Sequence, residues 1–151
     1  VAETVVPTRP VTAAIIAHLA SIGVSVGDGR APAGASPAFP YVVVYPLDAQ
    51  DRSGPMSDGQ ADVTHVQQTT TVGVTQEQCQ TLLDNVRARM RDDTLAVAGR
   101  IVHLVEVEEG DGVERDDDES PPLFYCVDIY SILTGPSDGG FSDGFDEGFD
   151  I

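Results

Sequence analysis

The stretch PLFYCVDIYSILTG, residues 122–135, decides the fold. Its β-branched and aromatic residues read as a strand of sheet-spanning length. Side chains alternate between faces along a strand, so Tyr125, Val127, Ile129 and Leu133 share one face. Phe124, Cys126, Asp128, Tyr130 and Ile132 share the other. Both sets are apolar except for Asp128. YVVVYPL, residues 41–47, is also apolar on both faces. A sheet with helices on one face leaves the other to water, so two-sided apolarity asks for a second cover. A neighbouring subunit is the simplest one.

Working outward, TRPVTAAIIAHLASIG (residues 8–23) reads as a helix. Thr8 can cap it, Pro10 suits its first turn, Val11, Ile15, Leu19 and Ile22 fall on one face, and Gly23 ends it. The Gly/Pro/Ala/Ser stretch VGDGRAPAGASPAFP (residues 26–40) reads as loop throughout. A polar, turn-rich segment at 48–62 precedes VTHVQQTTTVGV (residues 63–74), a Thr-rich strand whose alternation puts Val66, Val72 and Val74 together. These two strands form a hairpin with a long connection, of the kind that serves recognition. From Thr75 the period turns helical, with Cys79, Leu82, Leu83, Val86 and Met90 on one stripe and Thr75 and Gln78 spaced as a capping box. Arg87, Arg89 and Arg91 fall in its last turns, where cations suit the helix dipole. GRIVHLVEVEE (residues 99–109) is another strand, joined to the opening stretch by the acidic loop EEGDGVERDDDES (residues 108–120). The order α-β-β-α-β-β predicts an α+β two-layer sandwich, a four-stranded, mainly antiparallel sheet with two helices on one face. This domain occupies residues 1–135, and residues 136–151 form an extended C-terminal tail.

Composition narrows the function. The 151 residues include 25 acidic groups against eight arginines and no lysine, a net charge of -17. Nucleic-acid affinity needs clustered cations, so specific DNA binding is not expected. No apolar run approaches the roughly 18 residues of a membrane span, and Val1 opens no secretory pattern. We therefore expect a soluble, non-secreted chain without membrane contact. Cys79 and Cys126 lie in no CxxC or Cys/His spacing and read as buried, reduced thiols.

Catalytic and cofactor signals are weak. His18, His65 and His103 have no paired ligand at metal spacing, and Ser53, Ser57 and Ser120 lie outside any GxSxG elbow. Neither a phosphate-binding nor a dinucleotide-binding glycine motif is present. The acidic loop supplies many oxygens but lacks the order of a calcium loop. We expect no enzyme activity, cofactor or metal.

The chain closes with GGFSDGFDEGFDI, residues 139–151, in which Phe141, Phe145 and Phe149 recur every four residues among glycines and acids. Glycines at 140, 144 and 148 disfavour a free helix. The pattern suits a linear anchor whose rings fill successive pockets on an adjacent subunit or a neighbouring protein. Deleting residues 137–151 is expected to leave the domain folded and weaken assembly.

Over about residues 8–135 this layout resembles the tail terminator proteins of long-tailed, non-contractile bacteriophages. The resemblance rests on the N-terminal helix, the Pro/Gly-rich loop, FPYVVVYPLDA, ADVTHVQQTTTVGV, QEQCQTLLDNVRARM and PPLFYCVDIYSIL. It implies a homo-oligomeric ring, a hexamer, that caps the tail tube, ends tube polymerisation and meets the neck or head completion protein. It further implies a virion-tail location and assembly in the host cytoplasm. The same fold serves tail tube, head completion and other head-tail connector proteins, which stay open as alternatives. The loop 48–62, with Arg52 and Met56, is the candidate contact with tube or neck. Asp116, Asp117, Asp118 and Glu119 are candidates for a lumen charge that lets DNA pass without sticking.

Overall fold

A computed structural model describes residues 7–32, 39–51 and 62–136, with the side chains of 48–51 excepted. Its elements are α1 (Arg9–Ala20), β1 (Ser25–Asp28), β2 (Tyr41–Asp51), β3 (Val63–Gly73), α2 (Gln76–Met90), β4 (Arg100–Gly110), β5 (Glu114–Asp116) and β6 (Leu123–Pro136). One mixed sheet has the order β1-β2-β3-β6-β4, and β5 pairs with the start of β6. The opening stretch is thus a central strand, antiparallel to β3 on one side and to β4 on the other.

The sheet has six strands rather than four. β1 begins at Ser25 and runs into the stretch read as loop, pairing in parallel with β2, Val26 opposite Val42 and Asp28 opposite Val44. Arg9 of α1 holds Asp28 through a 2.7 Å ion pair. β5 lies within the acidic loop, with Glu114 opposite Tyr125. β2 also continues past Pro46 to Asp51, absorbing the irregularity in a bulge between Pro46 and Asp48.

Both helices pack on one face. Val11, Ile15 and Leu19 of α1 and Leu82, Val86 and Met90 of α2 meet Val42 and Val44 of β2 and Tyr130 and Ile132 of β6 in a single core. The apolar stripe of α2 is buried at all five positions. Thr75 Oγ1 accepts from Gln78 N–H at 3.0 Å, and Gln78 Oε1 accepts from Val74 N–H at 2.8 Å, one residue further back than the N-cap N–H of a standard capping box. Thr8 occupies the N-cap of α1 without a side-chain bond, and only its carbonyl accepts from Val11 and Thr12. Gly23 follows α1 at φ +86°, a conformation that an L side chain resists.

The last-turn arginines hold specific partners. Arg89 Nε donates to the His18 carbonyl (3.3 Å) and to Ser21 Oγ (3.0 Å), and its Nη1 meets Asp92 at 2.6 Å. His18 Nε2 donates to the Arg89 carbonyl at 2.7 Å. Asp92 also accepts from the Thr94 hydroxyl (2.6 Å) and N–H (3.0 Å). The Thr94 hydroxyl foremost, with Arg89 in support, holds the Asp92 carboxyl well below the usual carboxylate range. This clasp joins the ends of α1 and α2.

Candidate assembly surface

Residues opposite one another in adjacent strands share a face, so the register assigns the side away from the helices. Tyr41, Val43 and Tyr45 of β2, Val66 and Val72 of β3, Tyr125, Val127, Ile129 and Leu133 of β6, and Ile101 and Leu104 of β4 all belong to it. Leu104 stands opposite Leu133, which stands opposite Thr64. At the β1 end, Phe39, Tyr41, Val43, Tyr45, Val72, Leu123 and Tyr125 form their own apolar cluster. The Phe39 and Tyr41 rings lie 5.3 Å apart. At the other end the surface is open: Ile101 is 46% exposed and Leu104 48%. The second apolar face read from the sequence is therefore present, and among the described residues no helix covers it.

Among the described residues β4 has only β6 as a sheet neighbour, which leaves an eleven-residue edge. Bulges between Val102 and Leu104 and between Val107 and Glu109 interrupt it, and Glu106 and Glu109 face the open side. Bulges and charges of this kind discourage strand addition, so the face, rather than the edge, is the surface fit for contact.

The candidate loop acids are placed next to this face but are not gathered into a site. Asp116 pairs with Leu123 and accepts from Asp118 N–H at 3.0 Å. Arg115 holds Asp117 at 2.5 Å, and Asp118 and Glu119 are exposed. Tyr125 O–H donates to Glu114 at 2.7 Å, which raises the phenol pKa above its ordinary value. Burial raises that of Tyr41, with Tyr45 and Glu119 adding to it. Among the described residues no group of three or more His, Cys, Asp or Glu is arranged to hold a metal. Arg52, Met56, Phe141, Phe145 and Phe149 lie outside the described residues.

Two internal polar features went unread in the sequence. Asp128, fully buried, takes a two-pronged bond from Arg87 of α2, Nε to Oδ2 at 2.8 Å and Nη2 to Oδ1 at 2.7 Å. Tyr130 O–H donates to the same carboxylate at 3.3 Å. Gly110 lies opposite Asp128, and a Cβ there would meet Arg87 Nη2 at 2.9 Å and Asp128 Oδ1 at 3.0 Å. The bond to Asp128 raises the Arg87 pKa further, so the guanidinium stays charged. The lone acid among apolar neighbours was the available signal, and its partner 41 residues away was not.

The second feature is a polar line. His65, Gln67, Thr69 and Thr71 are all fully buried on the helix-facing side of β3. Thr12 Oγ1 donates to Gln67 Oε1 at 3.1 Å. Both His65 ring nitrogens, Gln67 Nε2 and the Thr69 and Thr71 hydroxyls have no partner among the described residues. Burial first, then Arg100, pushes the His65 pKa down and keeps the ring neutral.

Both cysteines are free and buried. Cys79 Sγ donates to the Thr71 carbonyl (3.6 Å) and Cys126 Sγ to that of Asp111 (2.9 Å). Burial pushes each thiol up to about 11, the opposite of what activates a nucleophile. A groove of about 540 Å³ lies between the α1–β1 turn and α2, with Ile22, Val24, Phe39 and Leu82 in its wall and Glu77 as its titratable group.

These features define a class: a two-layer α+β domain whose candidate functional surface is an open sheet face. No family model and no curated protein matches the chain. Among solved structures it is similar to a chain in the virion of a native gene transfer agent particle, with a TM-score of 0.62 at 15% sequence identity. The likeness covers 82% of this chain and 93% of that one, and it establishes a shared fold.

Proposed function

We propose that this chain is a structural virion protein whose copies close into a ring, a hexamer, that caps a tail tube, ends its polymerisation and joins the tail to the head or neck. The observation that carries the reading is the fold likeness to a virion chain, which covers 82% of this chain and 93% of that one. The resemblance to tail terminators points the same way. A closed ring needs two different patches on each copy, and the open apolar face is one surface of suitable polarity. The partners are other copies, the tube protein and a neck or head completion protein, with the loop 48–62, including Arg52 and Met56, as a contact. The role involves no catalysis, cofactor or membrane. DNA passes through the ring without specific binding, past Asp116, Asp117, Asp118 and Glu119.

The experiment adds the purified chain to polymerising tube protein and measures tube length by electron microscopy. A terminator stops growth and sits at one tube end. Incorporation along the tube, or stacking of the chain by itself, would instead make it a tube subunit. Binding only to a head or neck protein would make it another connector.

A further inference from the structure

The proposed ring leaves open which kind of neighbour takes the open sheet face, another copy or a different protein, and the charges around that face bear on the choice. Glu106 and Glu109 of β4 stand opposite Ser131 and Ile129 of β6, and Glu114 and Asp116 of β5 stand opposite Tyr125 and Leu123. Opposed residues share a face, so these carboxylates all border the open surface along one flank of β6. From the level of Ser131 to that of Leu123 the border runs about 27 Å. Across the sheet it gives way to uncharged residues: Glu109 leads through Ile129 and Gln68 to Tyr45, and Glu114 through Tyr125 and Val72 to Tyr41.

Among the described residues the arginine side chains lie off this flank. Arg115 stands opposite Phe124, on the helix-facing side, and holds Asp117. Arg100 turns to the helix-facing Thr134, donating to its hydroxyl at 3.3 Å. Arg9, Arg87 and Arg89 are paired with Asp28, Asp128 and Asp92, Arg91 caps α2, and Arg30 follows β1 at the far edge of the sheet. His103 reaches the face only beyond Leu104, where Gly135 leaves room for it beside Asp62, 3.9 Å away. The open surface is therefore an apolar floor with an acidic border that its own chain does not neutralise.

We propose that the open face receives a different protein, through a segment whose apolar side chains seat on Ile129, Leu133 and Leu104 and whose lysines or arginines lie along Glu106, Glu109, Glu114 and Asp116. The floor alone suits any apolar partner, and the border selects among them. The same face of a second copy brings the same carboxylates and no arginine to meet them, and burying unpaired charge is costly. Other patches of a copy fare little better, since the whole chain has eight arginines against 25 acids. Apolar burial supplies the affinity, while the exposed ion pairs supply orientation and the choice of partner. The proposal rests on the functional reading above only in taking this face for an assembly surface, and it requires neither a tube nor a ring.

The test measures fluorescence anisotropy of labelled synthetic peptides on the full-length chain, without tube protein. A negative result then leaves the capping experiment to decide the ring, and a failed cap leaves this contact standing. The probes are an amphipathic peptide whose apolar stripe is flanked by lysines, the same stripe flanked by glutamates, and the lysine peptide with its stripe replaced by serines. The first should bind, more weakly as salt rises, and the other two at least about tenfold less. Glu106→Lys with Glu109→Lys, both at exposed positions, should weaken the lysine-flanked peptide about tenfold and strengthen the glutamate-flanked one. The charge-matched pair Glu77→Lys with Asp84→Lys, on exposed positions of α2, should stay within about threefold of the parent. Leu104→Ser, at a half-exposed position, should weaken binding with no change of charge. Thermal melts check that each variant folds, and Glu106→Gln with Glu109→Gln is the milder form if the reversal does not. Equal loss in the two lysine double variants would reduce the effect to net charge and overturn the site. Equal binding of the lysine-flanked and glutamate-flanked peptides, or no binding by any, would overturn the proposed partner. A parent chain that self-associates and that the lysine-flanked peptide does not dissociate would give the face to a second copy instead.

Discussion

Replacing Arg87 by Met should strand a carboxylate inside the protein. Asp128 is fully buried on the central strand, and Arg87 supplies both of its strong bonds, at 2.8 and 2.7 Å. The Tyr130 hydroxyl at 3.3 Å cannot replace a charge. Breaking a buried pair from one side costs about 3–5 kcal/mol. The Arg87 side chain is 35% exposed, so water enters where it leaves, and the low end of about 3 kcal/mol applies. At about 3–4 °C per kcal/mol for a domain of this size, the melting temperature should fall by about 10 °C. The control removes the whole network. With Arg87→Met, Asp128→Leu and Tyr130→Phe together, no buried polar group is orphaned, and stability should return to within about 1.5 kcal/mol of the parent. Calorimetry of the parent, the single variant and the triple variant reads both numbers. A single variant within 1 °C of the parent, or a triple variant below the single one, would refute the reasoning.

Three further outcomes follow from the geometry. His65 binds protons less readily folded than unfolded, so its contribution to stability is full above the unfolded value of about 6.5 and is lost as pH falls below it; His65→Leu should flatten the fall in melting temperature from about pH 7.5 to about pH 5.5, and an unchanged slope would assign that fall to other groups. Thr75→Ala should cost about 1 kcal/mol through its lost cap bond, whereas Thr8→Ala should cost almost nothing, and equal losses in thermal melts would contradict the capping assignments. Cys79 and Cys126, with thiols pushed up to about 11, should resist a thiol reagent at neutral pH until denaturant unfolds the chain, and rapid native labelling of either would place it at the surface.

The helices were legible because their apolar residues repeat at helical spacing with little competition: the α2 stripe is buried as read, and α1 buries Val11, Ile15 and Leu19. β1 was hidden because Ser25–Asp28 has no pattern of its own and gains its pairing from β2. β5 was hidden in charge, since Glu114–Asp116 is held by β6 rather than by strand propensity. On β3 the alternation marked Val66 and Val72, which lie on the open face, while the helix-facing residues are His65, Gln67, Thr69 and Thr71. Val74 falls beyond β3 and is exposed. The open face itself was legible in residues 122–135, because an apolar set on each side of one strand shows in a single sequence. The Arg87–Asp128 pair was not, because its partners meet only when α2 packs on β6.

The terminator reading turns on whether the chain makes a finite cap. We would measure the mass of the complex formed on short tube segments as the chain is added in increasing amount. The account expects the added mass to saturate at one ring of copies per tube end. Mass that keeps growing with added chain, or no binding to the tube at any concentration, would contradict it.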